Sequence, residues 1–138
     1  MEKFFIEGDE FIPEINFDPE TDILCISGES YHEYTGEFFE PIFEWIDQYI
    51  KEPGKRIQLK FRMDYFNTAS SKCFYDILET LNIYAQEHNG SFEAFWYYEE
   101  EDYDMLESGE DYAEDKSINI HLIPYKKGEN PLREKSTF

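Results

Sequence analysis

Hydrophobic and polar residues alternate along several short stretches of the chain, as they do in a β-strand with one buried face. The clearest stretch is residues 56–63, where Ile57, Leu59 and Phe61 fall on the same side. Further strands are predicted at residues 12–17, 92–98 and 117–124, and short apolar runs predict strands at 4–6 and 23–27. A turn rich in Asp and Pro separates the second and third strands, and we expect Gly28 to end the third.

Apolar residues at helical spacing predict two long helices, roughly at residues 34–51 and 70–88. Pro41 falls inside the first helix, where it either kinks the helix or places the true first turn near Glu40. The second helix is followed by an Asn-Gly pair, which is typical of a left-handed C-terminal cap. A third, short helix is expected at about residues 102–107.

The predicted elements follow one another in the order β-β-β-α-β-α-β-α-β. Strands that alternate with helices favour an α/β fold, with a mixed β-sheet of about six strands and helices packed against it. No repeat or linker divides the chain, so we expect one domain over residues 1–125. Residues 126–138 are basic, and we expect them to form a flexible C-terminal tail.

The composition of the chain is sufficient for a hydrophobic core, and its charge limits the kinds of partner that it can bind. Hydrophobic residues make up 41% of the chain and aromatic residues 19%, which is enough to build a core. We expect the aromatic side chains of the first long helix and the fifth strand to pack there, namely Phe38, Phe39, Phe43, Trp45 and Trp96. The 12 basic residues against 32 acidic ones give a net charge of −20, which disfavours nucleic acid and anionic membranes as partners.

The sequence contains few features that indicate the cellular compartment of the protein. No stretch has the length and hydrophobicity of a membrane span, and the first residues do not resemble a signal peptide. Cys25 and Cys73 lie in apolar surroundings and are interpreted as buried thiols rather than as a disulfide framework. We therefore expect a cytoplasmic protein.

Signatures of catalysis are missing, so the sequence predicts a protein that is not an enzyme and needs no cofactor. There is no phosphate-binding glycine loop, and His32, His88 and His121 do not have metal-ligand spacing. Glu29 and Glu33 suit acid–base chemistry by type. Nothing in the sequence shows that they converge in a cleft, so a polar loop between a strand and a helix is the favoured interpretation.

An acidic run occupies residues 99–115, with ten carboxylates and no basic residue. It suits either a divalent cation or docking to a basic partner, although its spacing departs from the calcium-loop pattern. Such runs are usually solvated faces. The alternative function that it suggests is a non-switching acidic decoy or docking protein for a basic partner.

A cluster of small polar side chains follows the best predicted strand, within the segment YFNTASSK at residues 65–72. Helix capping explains part of it, because Asn67 or Thr68 can accept the free N–H groups of the first turn. A phosphoryl group on Thr68 or Ser71 would also meet the positive end of the helix dipole. Both interpretations stay open on spacing alone. Tyrosines nearby, namely Tyr31, Tyr34 and Tyr65, are candidates for an exposed interface.

Several segments resemble one known family, the SiaC-type bacterial regulatory phosphoproteins, which are similar to anti-sigma-factor antagonists with a STAS-like fold. The matching segments are Phe61 and residues 28–33 (GESYHE), 65–72 (YFNTASSK), 96–99 (WYYE) and 102–111 (DYDMLESGED). Two positions depart from the family pattern. His32 stands where proline is usual, and Ala69 stands where serine is usual.

The resemblance implies a partner-switching role in a STAS-like domain. A dedicated protein kinase phosphorylates the threonine of the Asn-Thr segment, here Thr68, and a PP2C-type phosphatase removes the phosphate. The unphosphorylated form binds and activates a diguanylate cyclase, which raises cyclic di-GMP and favours biofilm growth or aggregation. Around the phosphorylation site, the resemblance implies partner-binding surroundings made of Tyr65, Asn67, Ser70, Ser71 and Lys72.

Overall fold

The computed structural model describes residues 1–132. Within that range the chain forms six strands and three helices in the predicted order. The strands are β1 (Phe4–Ile6), β2 (Glu14–Asp18), β3 (Ile23–Ser30), β4 (Arg56–Phe66), β5 (Ser91–Glu99) and β6 (Ile120–Tyr125). The helices are α1 (Thr35–Tyr49), α2 (Thr68–Glu87) and α3 (Tyr103–Ala113). The predicted basic tail at 126–138 lies partly outside the described residues.

The six described strands form one mixed sheet in the order of the sequence. β1, β2 and β3 pair antiparallel, while β3, β4, β5 and β6 run parallel. Each parallel step is bridged by one helix. Because such crossovers are right-handed and the strand order advances in one direction, the three helices lie on the same face of the sheet. The predicted α/β fold with a six-stranded mixed sheet is confirmed.

The core lies between this face and the helices. One row of paired residues crosses the sheet beneath them, made of Ile15, Ile26, Phe61, Trp96 and Leu122. Phe74 of α2 packs its ring against Phe61 and against Phe39 of α1. Of the five aromatic residues expected in the core, Phe39 and Trp96 are fully buried and the other three pack around its margin.

Two predicted element boundaries in the first half of the chain are wrong. Gly28 does not end β3, because the strand continues to Ser30 after a shift of register between Gly28 and Glu29. The backbone of Gly28 has φ +104°, a conformation that favours glycine and lets the bulge form without strain. The proposal that helix α1 begins near Glu40 is also wrong, since α1 starts at Thr35 and runs through Pro41.

In the second half, α2 begins two residues before the predicted start, and α3 continues to Ala113 rather than stopping near residue 107. The sequence pattern underestimates the length of α3, because only Met105 and Gly109 of this acidic helix are buried and the apolar periodicity is weak. The predicted cap after α2 is confirmed by Asn89, whose φ is 55°.

The two cysteines are half-buried and do not form a disulfide, so the interpretation as buried thiols overstates their burial. Desolvation raises the pKa of both thiols above the usual value. Among the described residues, no helix has the length and apolar character needed to cross a membrane.

Candidate functional site at the start of helix α2

The carboxyl ends of β3, β4, β5 and β6 meet at one edge of the sheet because these strands are parallel. Loops at this edge are where open α/β sheets place their functional residues. The connection from β4 to α2 is one residue long, Asn67, so the first turn of α2 lies directly at this edge. The predicted phosphorylation site Thr68 and its predicted surroundings, residues 65–72, are located there.

Asn67 caps helix α2. Its backbone is extended, and its side-chain Oδ1 accepts the N–H of Ser70 at 2.8 Å. An asparagine in this role satisfies one of the free donors of the first turn and stabilises the helix by about 1 kcal/mol. The capping interpretation of Asn67 is confirmed.

Ser70 ties the same turn to β3 from within the core. Its hydroxyl is fully buried and donates to the carbonyl oxygen of Ser30 at 2.8 Å. The Ser30 hydroxyl lies 2.7 Å from the Ser70 hydroxyl, and since the Ser70 proton is already used, Ser30 is the donor. The backbone N–H of Asn67 donates to the same Ser30 carbonyl at 3.0 Å. Ser70 therefore has a structural position, and its hydroxyl does not reach the surface.

Ser71 connects helix α2 to helix α3. The phenol of Tyr112 donates to the backbone carbonyl of Ser71 at 2.9 Å, and the Ser71 hydroxyl donates back to the Tyr112 oxygen at 2.8 Å. Desolvation raises the pKa of Tyr112 to about 12, so the phenol stays protonated at neutral pH. This pair holds the start of α2 in a fixed position relative to α3.

Thr68 differs from these neighbours. It is the first residue of α2, its side chain is exposed, and its hydroxyl has no hydrogen-bond partner within residues 1–132. Ala69 beside it is exposed as well. The site thus presents a free hydroxyl on a turn that is held from three sides, by the Asn67 cap, by Ser70 and by Ser71.

Lys72 lies one helical turn after Thr68 and is largely exposed. Its ammonium group is 3.7 Å from the carboxylate of Asp76, in the i,i+4 arrangement. Exposed pairs of this kind contribute little to stability. Because this pair is weak, the Lys72 ammonium group can leave Asp76 and interact with other groups near the first turn of α2.

Aromatic rings lie next to this turn. Tyr65, near the end of β4, is 48% exposed and stacks on Tyr31 with 5.4 Å between ring centroids. Phe11, which is also 48% exposed, contacts the other side of Tyr31 edge-on at 5.3 Å. Sequence reasoning missed Phe11, because a single aromatic residue in a polar loop carries no periodic signal. Tyr34 is exposed but lies apart from this stack.

Most of the acidic run forms helix α3. Asp102 caps the helix by accepting the N–H of Met105 at 3.0 Å. A groove of about 350 Å³ lies between the ends of β4 and α3, lined by Asp64, Tyr65, Phe66, Asp102, Asp104, Met105 and Ser108. Over residues 1–132 no group of three His, Cys, Asp or Glu side chains is placed to hold a metal ion.

The two carboxylates considered for acid–base chemistry lie on different elements. Glu29 is at the end of β3, paired with Tyr65 of β4, and Glu33 is in the exposed turn that leads to α1. In that turn, His32 Nδ1 accepts the N–H of Tyr34 at 3.0 Å, and the His32 carbonyl accepts the Thr35 hydroxyl at 2.6 Å. His32 thus forms a local turn through its own side chain and carbonyl group.

A small α/β domain with a free hydroxyl on a rigid helix start and exposed aromatic rings beside it has the features of a binding domain. Comparison with family models gives the family. Residues 6–125 match the model of the SiaC family regulatory phosphoproteins. The chain belongs to the SiaC family.

Relatives of known sequence and structure agree with this assignment. An uncharacterized protein of Pseudomonas aeruginosa (strain UCBPP-PA14) is 29% identical over 120 residues, which cover 86% of this chain and 93% of that protein. The crystal structure of apo-SiaC from Pseudomonas aeruginosa matches with a TM-score of 0.80 and 27% identity, over 89% of this chain and 99% of that one.

A further match concerns a complex. The crystal structure of the diguanylate cyclase SiaD with its activator SiaC from Pseudomonas aeruginosa contains a chain that is 26% identical, with a TM-score of 0.81. The match covers 88% of this chain and 99% of that one. In that organism the structural relative is therefore the activator of a cyclase.

Proposed function

We propose that this protein is a switch whose unphosphorylated form binds and activates a diguanylate cyclase, and whose binding ends when Thr68 is phosphorylated. A protein kinase adds the phosphate and a PP2C-type phosphatase removes it. The output is a change in cyclic di-GMP, and through it in aggregation or biofilm growth. The protein itself performs no chemistry in this scheme.

The observation that carries the proposal is the contrast among the hydroxyls at the start of α2. Ser70 is fully buried and Ser71 is bonded to Tyr112, whereas Thr68 is exposed and unbonded within the described residues. A kinase needs a hydroxyl that can enter its active site without unfolding the substrate. Thr68 meets this requirement, and the activator role of the SiaC in the cyclase complex supports the choice of partner.

A phosphate on Thr68 changes the charge at one point of a rigid surface. It adds about −1.5 to −2 charges to a chain whose net charge is already −20. If a cyclase covers this turn, the phosphate must lose its hydration, and an unpaired buried charge costs on the order of 3–5 kcal/mol. At about 1.4 kcal/mol for each factor of ten, this is enough to release the partner.

The surroundings of Thr68 have separate parts in this proposal. Tyr65 and Lys72 are exposed and contact the partners, and Asn67 and Ser71 hold the turn in the shape that the partners recognise. Ser70 contributes from beneath the surface through its bonds to Ser30. Because the turn is fixed in this way, the phosphate alters recognition without rearranging the fold.

Co-expression with the kinase, followed by intact-mass measurement, tests the site. The wild-type chain should gain about 80 Da, the mass of one phosphoryl group. The Thr68→Ala variant should gain nothing, while Ser91→Ala, a control at an exposed hydroxyl on the opposite edge of the sheet, should still be modified. A mass gain in the Thr68→Ala variant would assign the phosphate to another residue.

Cyclase activity tests the switch itself. Unphosphorylated protein should raise the rate of cyclic di-GMP synthesis by the partner cyclase, and protein phosphorylated by the kinase should not. Treatment with the PP2C-type phosphatase should restore activation. If the phosphorylated and unphosphorylated forms activate equally, Thr68 is not the switch.

A further inference from the structure

Three aromatic side chains, two of them exposed and one half-buried, form a continuous patch at the same edge of the sheet as Thr68. We call Phe11, Tyr31 and Tyr65 the aromatic patch. The ring of Tyr31 lies between the other two, stacked on Tyr65 and edge-on to Phe11. The three rings come from three separate parts of the chain, namely the loop before β2, the residue after β3, and β4.

The backbone holds the patch in place. The N–H of Tyr31 donates to the carbonyl of Phe11 at 2.9 Å, which fastens the N-terminal loop to the end of β3. That loop is itself closed by Asp9, whose carboxylate accepts the N–H groups of Phe11 at 2.7 Å and Ile12 at 3.0 Å. A preformed patch of this kind loses little conformational entropy when it binds a partner.

The residues of the aromatic patch are typical of a binding surface and unusual in a solvent-facing loop. Phe11 and Tyr65 are each 48% exposed, although burying such rings is favourable. Clustered exposed aromatic side chains mark interaction sites, and tyrosine is enriched among the residues that dominate binding energies.

Acidic groups surround the patch. Glu29 pairs with Tyr65 across β3 and β4, and Glu10 directly precedes Phe11, so both acids lie close to the patch. Desolvation and these carboxylates raise the pKa of the Tyr31 phenol. Asp64 adjoins Tyr65 along β4, and its carboxylate is paired with Arg62 at 3.2 Å. No basic side chain within residues 1–132 pairs with Glu10 or Glu29.

We infer that the aromatic patch is a docking site for a protein partner whose contact face is apolar at its centre and carries Lys or Arg side chains at its rim. Aromatic rings at the centre and carboxylates around them call for this complementary arrangement. The inference rests on the proposed function and takes the partner to be the diguanylate cyclase. It adds Phe11 and Tyr31, and with them the N-terminal loop, to the contact surface.

The position of the patch relative to Thr68 fits the proposed switch. Tyr65 precedes Thr68 by three residues at the same edge of the sheet, so a partner seated on the patch lies close to the first turn of α2. A phosphate there would lie beside the acidic rim and at the margin of an apolar contact, where it is costly to bury.

Binding of the unphosphorylated protein to the cyclase, measured by titration calorimetry, tests the inference. Phe11→Ala should weaken binding at least about tenfold, because it removes one of the three rings of the patch and keeps the backbone bonds of the loop. Phe11→Tyr should bind within about twofold of the wild type, because it keeps the ring. Tyr75→Ala is the matched control, since Tyr75 is 40% exposed on the outer side of α2, and it should also stay within about twofold.

The charged rim has its own test. Glu10→Lys should weaken cyclase binding, and raising the salt concentration should weaken binding of the wild type. All variants are checked by thermal unfolding, so that a loss of fold is not mistaken for a loss of contact.

The outcomes separate the patch from the function. If the wild type does not bind the cyclase, the proposed function fails. If the wild type binds and Phe11→Ala binds equally well, the function stands and the patch is not its docking site. If Phe11→Ala abolishes self-association of this chain but not cyclase binding, the occupant is a second copy and the inference is overturned.

Discussion

Gly109 of helix α3 lies directly against the indole ring of Trp96 in β5. A Cβ atom at position 109 would come within 2.8 Å of both the Trp96 Nε1 atom and the Leu122 Cδ2 atom. The same indole donates its N–H to the carbonyl of Met105 at 2.9 Å, one turn earlier in α3. Because glycine permits this close approach, α3 packs against the sheet although only two of its residues are buried.

We expect Gly109→Ala to destabilise the fold by about 1–3 kcal/mol, because the added methyl group must push α3 away from Trp96. Urea denaturation, monitored by tryptophan fluorescence, measures the change in unfolding free energy. Gly36→Ala is the control, since Gly36 is also helical and a Cβ there meets nothing within 4 Å. That variant should be as stable as the wild type or slightly more so. Equal stability of the two variants would contradict the packing described for Gly109.

The buried serine pair predicts a non-additive effect. Ser70→Ala leaves the Ser30 hydroxyl buried without its acceptor, which costs about 1–3 kcal/mol. Removing both hydroxyls should cost less than the sum of the two single variants, because no unpaired donor remains. Equilibrium unfolding of the two single variants and the double variant measures the coupling. Strict additivity would argue against the bond between the two hydroxyls.

Loss of the α2 cap should be moderate and specific. Asn67→Ala removes the acceptor for the Ser70 N–H and should cost about 1 kcal/mol of unfolding free energy. Asn67→Asp keeps an acceptor at the same place and should preserve most of the stability. If the alanine and aspartate variants unfold at the same denaturant concentration, capping is not the role of this side chain.

Alkaline pH should loosen the contact between α2 and α3. Tyr112 has a pKa of about 12 in the folded protein and about 10 when unfolded, so the folded state holds its proton more tightly. Its contribution to stability is therefore complete below about pH 10 and is lost as the pH rises from about 10 through 12. Tyr112→Phe should be less stable than the wild type near neutral pH, because it loses the bonds to Ser71. This difference in unfolding free energy should shrink by about 1 kcal/mol above pH 10. Urea denaturation at several pH values checks this, and a difference that stays constant with pH would contradict it.

Local sequence signals were enough where an element is defined by its own residues. The alternation in β4, the helical spacing in α1 and α2, and the Asn-Gly cap after α2 all depend on near neighbours, and the structure has each of them. The Asn67 cap belongs to the same group, because its acceptor and donor are three residues apart. The order of elements and the mixed sheet followed from these local patterns together with the right-handed crossover rule.

Other features could not be predicted because they depend on contacts between distant parts of the chain. The length of α3 depends on Gly109 meeting Trp96, and nothing near α3 in the acidic run indicates that contact. The burial of Ser70 depends on Ser30, 40 residues away, so the sequence shows three similar hydroxyls where the structure has one that is free.

Near-neighbour patterns thus determined which segments become strands and helices, their order, and the segment in which a phosphorylation site was expected. Only the tertiary structure decided which hydroxyl of that segment faces solvent and that Phe11 joins Tyr31 and Tyr65 beside it. The physical reason is that solvent exposure and ring contacts are set by the whole sheet, which brings residues close in space that are far apart in the chain.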